Sequence, residues 1–168
     1  MPEEKKIRVL PLILAGILIG MFIKFFVLDI LQVSGSSMER TIHNESVIAV
    51  NRLAYGISIP FTSSLIVQWN QPKRDDIIIY LYNNKIVVKR CIAISGDSLD
   101  YSAESGYSLL TGGKKITLTL QQYEKLKGTA SVPYGYILAV GDNYSKSIDS
   151  RTYGFVPVKN ILGKVIWK

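Results

Sequence analysis

The 168 residues suffice for one folded domain plus a short appendage, and 48% of them are hydrophobic. One cysteine, Cys91, excludes an internal disulfide, and one histidine, His43, leaves any metal site to carboxylates, so no metal or cofactor is expected. The net charge of +7 comes from scattered basic residues with no recognition module, which excludes nucleic acid as the expected partner and leaves anionic lipid headgroups.

Residues 1–8, MPEEKKIR, are polar and basic, and an apolar stretch from Val9 to Leu28 follows, broken only by Lys24. At ~1.5 Å per residue such a run spans ~30 Å, the hydrocarbon thickness of a bilayer. Lys24 stands near the far end, where its stem reaches the interface. A cleaved signal peptide and a buried core helix are the alternatives. Length, position and the flanking Lys5, Lys6 and Arg8 favour a retained transmembrane anchor at 9–28 with a cytoplasmic N-terminus.

The remainder, 29–168, reads as an extracytoplasmic β-rich domain. Strands are expected at Ser46–Val50, Asp76–Tyr82, Ile86–Ile94, Ile116–Leu120, Tyr136–Val140 and Leu162–Trp167, from period-two patterns and short apolar runs. Turns are marked by Ser95-Gly96-Asp97, Thr111-Gly112-Gly113, Pro133-Tyr134-Gly135 and Gly141-Asp142-Asn143. Only Leu120–Lys127 has a helical look, and the Gly/Ser-rich stretch 101–131 reads as a possible peripheral insertion. The expected class is mainly β: an antiparallel β-barrel or folded sheet behind one N-terminal transmembrane helix.

Four segments carry chemistry. Ser34-Gly35-Ser36-Ser37-Met38-Glu39-Arg40-Thr41 directly follows the anchor and reads either as a turn or as a nucleophile held at the membrane surface. Lys89 is embedded in Ile86-Val87-Val88-Lys89-Arg90-Cys91-Ile92. It is either an outward-facing strand lysine or a desolvated amine whose neutral form serves as general base to a serine. The polar loop from Gly141 to Gly154 is either a connection or a site brace in which Asp149 and Arg151 form a bidentate pair. Pro72-Lys73-Arg74-Asp75-Asp76 reads as a turn.

In order and spacing these segments resemble the bacterial type I signal peptidases, membrane-bound Ser/Lys proteases that remove signal peptides from exported proteins. The family's nucleophile box corresponds to Gly35-Ser36-Ser37-Met38-Glu39-Arg40-Thr41, and its lysine-Arg strand ending in Gly-Asp to Lys89 through Gly96-Asp97. Its last box, Gly-Asp-Asn…Ser-x-Asp-Ser-Arg…Gly, matches Gly141 to Gly154. The run Tyr55–Phe61 leading to Pro72-Lys73-Arg74 is similar to the Gram-negative branch.

The resemblance implies Ser37 as nucleophile and Lys89 as base. It also implies that Ser147 orients the lysine, and that Asp149 pairs with Arg151 and is a candidate partner of Arg90. Leu31, Val33, Met38, Ile42 and Val88 are expected to line shallow apolar pockets for the small residues of an Ala-x-Ala signal. The implied partners are signal peptides of preproteins and membrane lipid, at the bacterial plasma membrane. Three departures stand out: Arg40 where the family has proline, Tyr144-Ser145-Lys146 in place of a more polar stretch, and Asp75 where it has glycine. They leave open an inactive member acting as a membrane assembly factor, although inactive relatives typically lack the Ser or the Lys and this chain keeps both. A self-cleaving repressor-like Ser/Lys protease and a protease using His43 are the other rivals, the former weakened by the anchor and the lack of a DNA-binding helix pair.

Overall fold

The apolar N-terminal run folds as a helix, described as α1 over Val9–Phe22. The helix widens into one broader turn at Ile23–Val27, and Leu28 then takes an extended backbone. Val9–Val27 is 19 residues long with a mean hydropathy of 2.4, and none of its window is buried. This chain is described as a computed structural model covering residues 9–59 and 62–168. The expected cytoplasmic segment 1–8 and the Pro60-Phe61 pair lie outside the described residues.

Beyond this apolar helix come β1 (Leu28–Gln32), β2 (Val47–Asn51), β3 (Gly56–Ser58), β4 (Leu65–Gln68), β5 (Ile77–Tyr82) and β6 (Lys85–Ala93). Next are β7 (Asp100–Ser102), β8 (Ser108–Thr111), β9 (Lys114–Thr117), α2 (Leu120–Leu126) and β10 (Tyr136–Val140). α3 (Ser150–Tyr153), β11 (Val156–Pro157) and β12 (Ile161–Trp167) complete the chain.

Seven strands form one sheet in the order β1-β2-β12-β5-β6-β10-β11, every pairing antiparallel. The order ends at β1 and β11, which do not pair with each other, so the sheet is open and folded rather than a closed barrel. Both faces are buried. Ile77 and Ile79 of β5 pack with Ile48, Val50 and Leu162, while the alternating Ile78 and Tyr80 pack with Cys91, Ile137 and Ile161. This is the period-two consequence of a sheet covered on both sides.

The register that matters most is set by a turn. Asn83 and Asn84 join β5 to β6 with φ of 48° and 59°. Two left-handed residues make the tight hairpin whose twist matches the strands, and Asn tolerates that conformation. Tyr82 then faces Lys85, and Lys89 falls opposite Ile78.

The stretch 101–131, read above as a possible peripheral insertion, carries its own small sheet and packs on the main one. Its β7-β8-β9 sheet and α2 bury Leu109, Ile116 and Leu118 against Ile92, Ala93, Leu138 and Val140 of the main sheet. The strand expected at Ile116–Leu120 ends at Thr117 instead, because Thr119 caps α2. Its hydroxyl accepts from the Gln122 N–H, and the Gln122 side chain accepts from the Thr119 N–H.

Candidate active site

Ser37 lies in a tight turn between β1 and β2. The N–H groups of Thr41 and Ile42 both donate to the Met38 carbonyl at 2.7 Å, which winds residues 38–42 into a helical turn. Met38 and Ile42 therefore point together into the core beneath. Gly35, with φ of 107°, permits the bend before Ser37, and its N–H donates to Asn44 Oδ1 at 2.7 Å.

Lys89 reaches this turn from the middle of β6. Its Nζ lies 2.7 Å from Ser37 Oγ in a hydrogen bond, and the lysine is only 4% exposed. Burial pushes its ammonium below the usual lysine range; the Asp149 charge opposes this shift and the Arg151 charge adds to it.

The loop after β10 clamps the Ser37 turn from the other side. The Asn143 N–H donates to the Ser37 carbonyl at 2.9 Å, and Asn143 Nδ2 donates to the Ser36 carbonyl at 3.0 Å. Gly141 passes between Ser37 and Ser147 so closely that a Cβ there would fall 2.2 Å from Ser147 Oγ and 2.6 Å from the Ser37 carbonyl oxygen. We expect Gly141→Ala to cut turnover at least tenfold while leaving a folded protein, because relief of the overlap must shift Ser37 or Ser147. Unchanged kcat/KM in Gly141→Ala would show that the close approach is dispensable.

Asp149 and Arg151 are 0% and 1% exposed. Arg151 donates to Asp149 through Nε at 2.9 Å and Nη2 at 2.8 Å, while the second carboxylate oxygen also accepts the Gly141 N–H at 3.0 Å. The remaining Arg151 donors reach the carbonyls of Thr117, Tyr144 and Ser147. The 101–131 stretch thus holds this loop directly. Lys125 Nζ adds a bond to the Thr152 carbonyl at 2.6 Å.

Arg90 does not pair with Asp149. It forks onto Asp142, Nε at 2.9 Å and Nη2 at 2.7 Å, and also donates to Thr41 Oγ1. Thr41 in turn donates to the same carboxylate. Burial raises the Asp142 carboxyl, but the bonds from Arg90 and Thr41 outweigh it and hold the group below its ordinary range. Asp149 is turned the other way, inward, as the N-cap of α3.

A cleft of about 140 Å³ opens between the β1 end and β6, lined by Leu31, Val33, Ser34, Ser37, Met38, Val88 and Lys89 among others. Four of the five expected pocket residues lie on it. Ile42 does not, being buried 2% exposed in the core. The cleft is far smaller than the ~300–1,000 Å³ of sites that enclose drug-sized ligands, and it suits small side chains. The Ser147 hydroxyl, expected to orient Lys89, is buried without a hydrogen-bond partner in the structure.

A family model, "Signal peptidase, peptidase S26", matches residues 6–168. The chain belongs to the signal peptidase family. It is 32% identical to signal peptidase I of Bacillus caldolyticus, over 97% of this chain and 90% of that protein. Signal peptidase I of Buchnera aphidicola subsp. Baizongia pistaciae is 26% identical over 90% of this chain and 72% of its own length. An inactive signal peptidase IA of Staphylococcus aureus is also similar, at 24% identity over 96% of this chain and 90% of that protein.

The departures from the signal peptidase pattern acquire physical form. Asp75 stands at φ 71°, where the family's glycine is unstrained, and it is held there by Lys114 on its carboxylate and Arg90 Nη1 on its carbonyl. Arg40 and Tyr144 meet one another: the Arg40 guanidinium lies 5.8 Å from the Tyr144 ring centroid, and that of Arg151 5.3 Å from the same ring. The ring thereby ties the turn after Ser37 to the Asp149–Arg151 loop. Asp142, Asn143, Thr41 and Asn44 are the bracing residues that sequence reasoning did not assign. The Gly141-Asp142-Asn143 segment was visible, but its direction toward Ser37 was not.

Proposed function

We propose that this chain is a membrane-bound serine endopeptidase that removes N-terminal signal peptides from exported preproteins at small-x-small sites, with Ser37 as nucleophile and Lys89 as general base. The observation that carries the reading is the 2.7 Å contact between Lys89 Nζ and Ser37 Oγ, made by an amine that burial biases toward its neutral form.

Neutral Lys89 accepts the Ser37 proton as Oγ attacks the carbonyl carbon of the scissile peptide. The tetrahedral intermediate collapses when the ammonium returns that proton to the leaving nitrogen, leaving an acyl-enzyme. Water then attacks the ester with Lys89 again as base, and Ser37 recovers its proton. The Ser37 N–H has no acceptor among the described residues, which suits it to receive the developing oxyanion. Ser147, across Gly141 from the Ser37 carbonyl, is the candidate to steady the lysine once substrate fills the cleft.

An extended substrate fits the free strand edges. β10 pairs with β6 only from Arg90 onward, so Ile86–Lys89 keep one open edge, and β1 is itself an edge strand. A segment added between them continues the sheet and drops alternate side chains into the small cleft. The apolar helix Val9–Val27 runs straight into β1, which supports a cleft held near the membrane surface. The basic residues 5–8 favour a cytoplasmic N-terminus and an extracytoplasmic domain.

The test is cleavage of a preprotein with an Ala-x-Ala site by the full chain in detergent, beside the same preprotein with Phe replacing the alanine before the cut. We expect cutting of the first alone. No cutting of either would favour the inactive-member reading suggested by the Staphylococcus aureus relative. His43 is exposed and bonded to Glu39 rather than to Ser37, so His43→Ala is expected to retain kcat/KM within twofold, and loss of turnover would overturn the lysine-base assignment.

A further inference from the structure

The two walls of the Ser37 cleft do not stop at the cleft. Leu31 and Val33 line it on the β1 side, Ile86 and Val88 on the β6 side, each pair two residues apart. One further step of two residues away from Ser37 reaches Asp29 on the first wall and Asn84 on the second. Burial along β1 alternates so that Asp29 shares the inward face of Leu31. Asp29 and Asn84 both line a second cavity, of about 570 Å³, which shares Leu31 and Ile86 with the cleft. Lys24 and Phe25, from the end of the N-terminal helix, line it as well. The second cavity therefore lies between that helix end and Ser37, as a continuation of the cleft.

The lining changes character along the way. Asp29 is 6% exposed, and its Oδ2 accepts from Arg52 through Nε at 3.1 Å and Nη2 at 2.6 Å. Its Oδ1 has no hydrogen-bond partner among the described residues. The Lys24 ammonium stands 4.0 Å from it, on a side chain that is 63% exposed. A buried carboxylate oxygen ordinarily accepts a hydrogen bond, so Oδ1 favours any donor that enters the cavity.

We propose that this cavity is a third substrate subsite, which takes the side chain five residues before the cut and selects one that carries a hydrogen-bond donor. Hydroxyl, carboxamide and ammonium groups qualify; a carboxylate does not. The inference rests on the signal-peptide reading above. An extended substrate turns the residues one, three and five before the cut to the same face, about 7 Å apart. The first two meet the cleft of about 140 Å³ and must be small. The fifth falls opposite Asp29 and Asn84, where there is room for a long side chain whose donor displaces Lys24 from Asp29 Oδ1. Residues four and six point the other way. A carboxylate in the fifth place would face Asp29 in a cavity whose Arg52 is already committed to that residue.

The experiment measures kcat/KM of the full chain in detergent on preproteins with one Ala-x-Ala site and the fifth residue before the cut set to Asn, Lys, Leu or Glu. Asn and Lys are expected to be cut at least fivefold faster than Leu, and Glu slowest of the four. The same four residues placed fourth before the cut should differ by less than twofold. In Asp29→Asn, whose amide donates as well as accepts, the gap between Asn and Glu at the fifth place should close to within twofold. Should that variant fail to fold, the wild-type profile decides alone. Equal cutting of all four preproteins overturns the subsite and leaves the signal-peptide reading standing. No cutting of any overturns both. A preference for Glu would assign the cavity to Lys24 and overturn the donor selection, and a wild-type preference that persists in folded Asp29→Asn would remove Asp29 from it.

Discussion

Ser37→Ala is expected to abolish cleavage, with a loss on the order of 10⁵-fold or more, because no second group can form the acyl bond. Lys89→Met should cost about 10⁴-fold, the upper range for removal of a positioned base, since no other titratable group contacts Ser37 Oγ among the described residues. The two variants differ in stability, and that difference separates chemistry from folding. Lys89 is 4% exposed, and burial lowers its pKa in the folded state. Between the folded and the unfolded pKa the unfolded chain binds more protons, so wild-type stability rises with pH through that window. Methionine removes the penalty of burying a charge, so Lys89→Met should melt higher than wild type at neutral pH and lose that advantage as pH approaches the free-lysine range. Wild-type kcat/KM should rise with pH through an apparent pKa below the ~10.4 of free lysine. A flat profile, or a Lys89→Met protein with a tenth of wild-type turnover, would remove lysine from the mechanism.

The candidate site was legible from the order and spacing of three segments, Ser34–Thr41, Ile86–Ile94 and Gly141–Gly154, and not from any one of them. Alone, Lys89 reads as readily as an outward-facing strand lysine, and the small residues before Met38 as a turn. The pairing of Arg90 was not visible. Asp142 and Asp149 sit on one polar loop, and only the fold turns the first out toward Thr41 and the second in to cap α3. β1 was hidden because Leu28-Asp29-Ile30-Leu31-Gln32 runs on from the apolar helix without punctuation, and its strand character comes from pairing with β2. β3, β4, β7, β8 and β11 are two to four residues long, too short for a period to register. The end of β9 was legible in principle: Thr119 and Gln122 have capping-box spacing. Ile42 lies off the cleft because the helical turn that follows Ser37 carries it inward with Met38, a local geometry that the apolar residue type alone does not reveal.

Arg151→Met is expected to be the most destabilising single change in the domain. The methionine fills a similar volume, so packing loss is small, but Asp149 is left fully buried as a carboxylate with only the N–H groups of Gly141 and Arg151 to stabilise it. Breaking one side of such a pair costs about 3–5 kcal/mol. The carbonyls of Thr117, Tyr144 and Ser147 lose a donor as well. Against a total of ~5–15 kcal/mol for a domain, that is a large fraction. With a urea slope of about 2 kcal/mol/M, the midpoint should fall by about 2 M. Adding Asp149→Leu to Arg151→Met removes the stranded charge and should recover part of the loss, a non-additivity that simple packing damage would not produce. Activity should not recover with it. Asp149 Oδ2 holds the Gly141 N–H, and the next residues but one carry the Asn143 bonds to Ser36 and Ser37, so the double variant folds around a nucleophile turn that has lost its brace. A double variant that regained both stability and turnover would show that the pair stabilises the fold alone, and that Ser37 is positioned by its own turn.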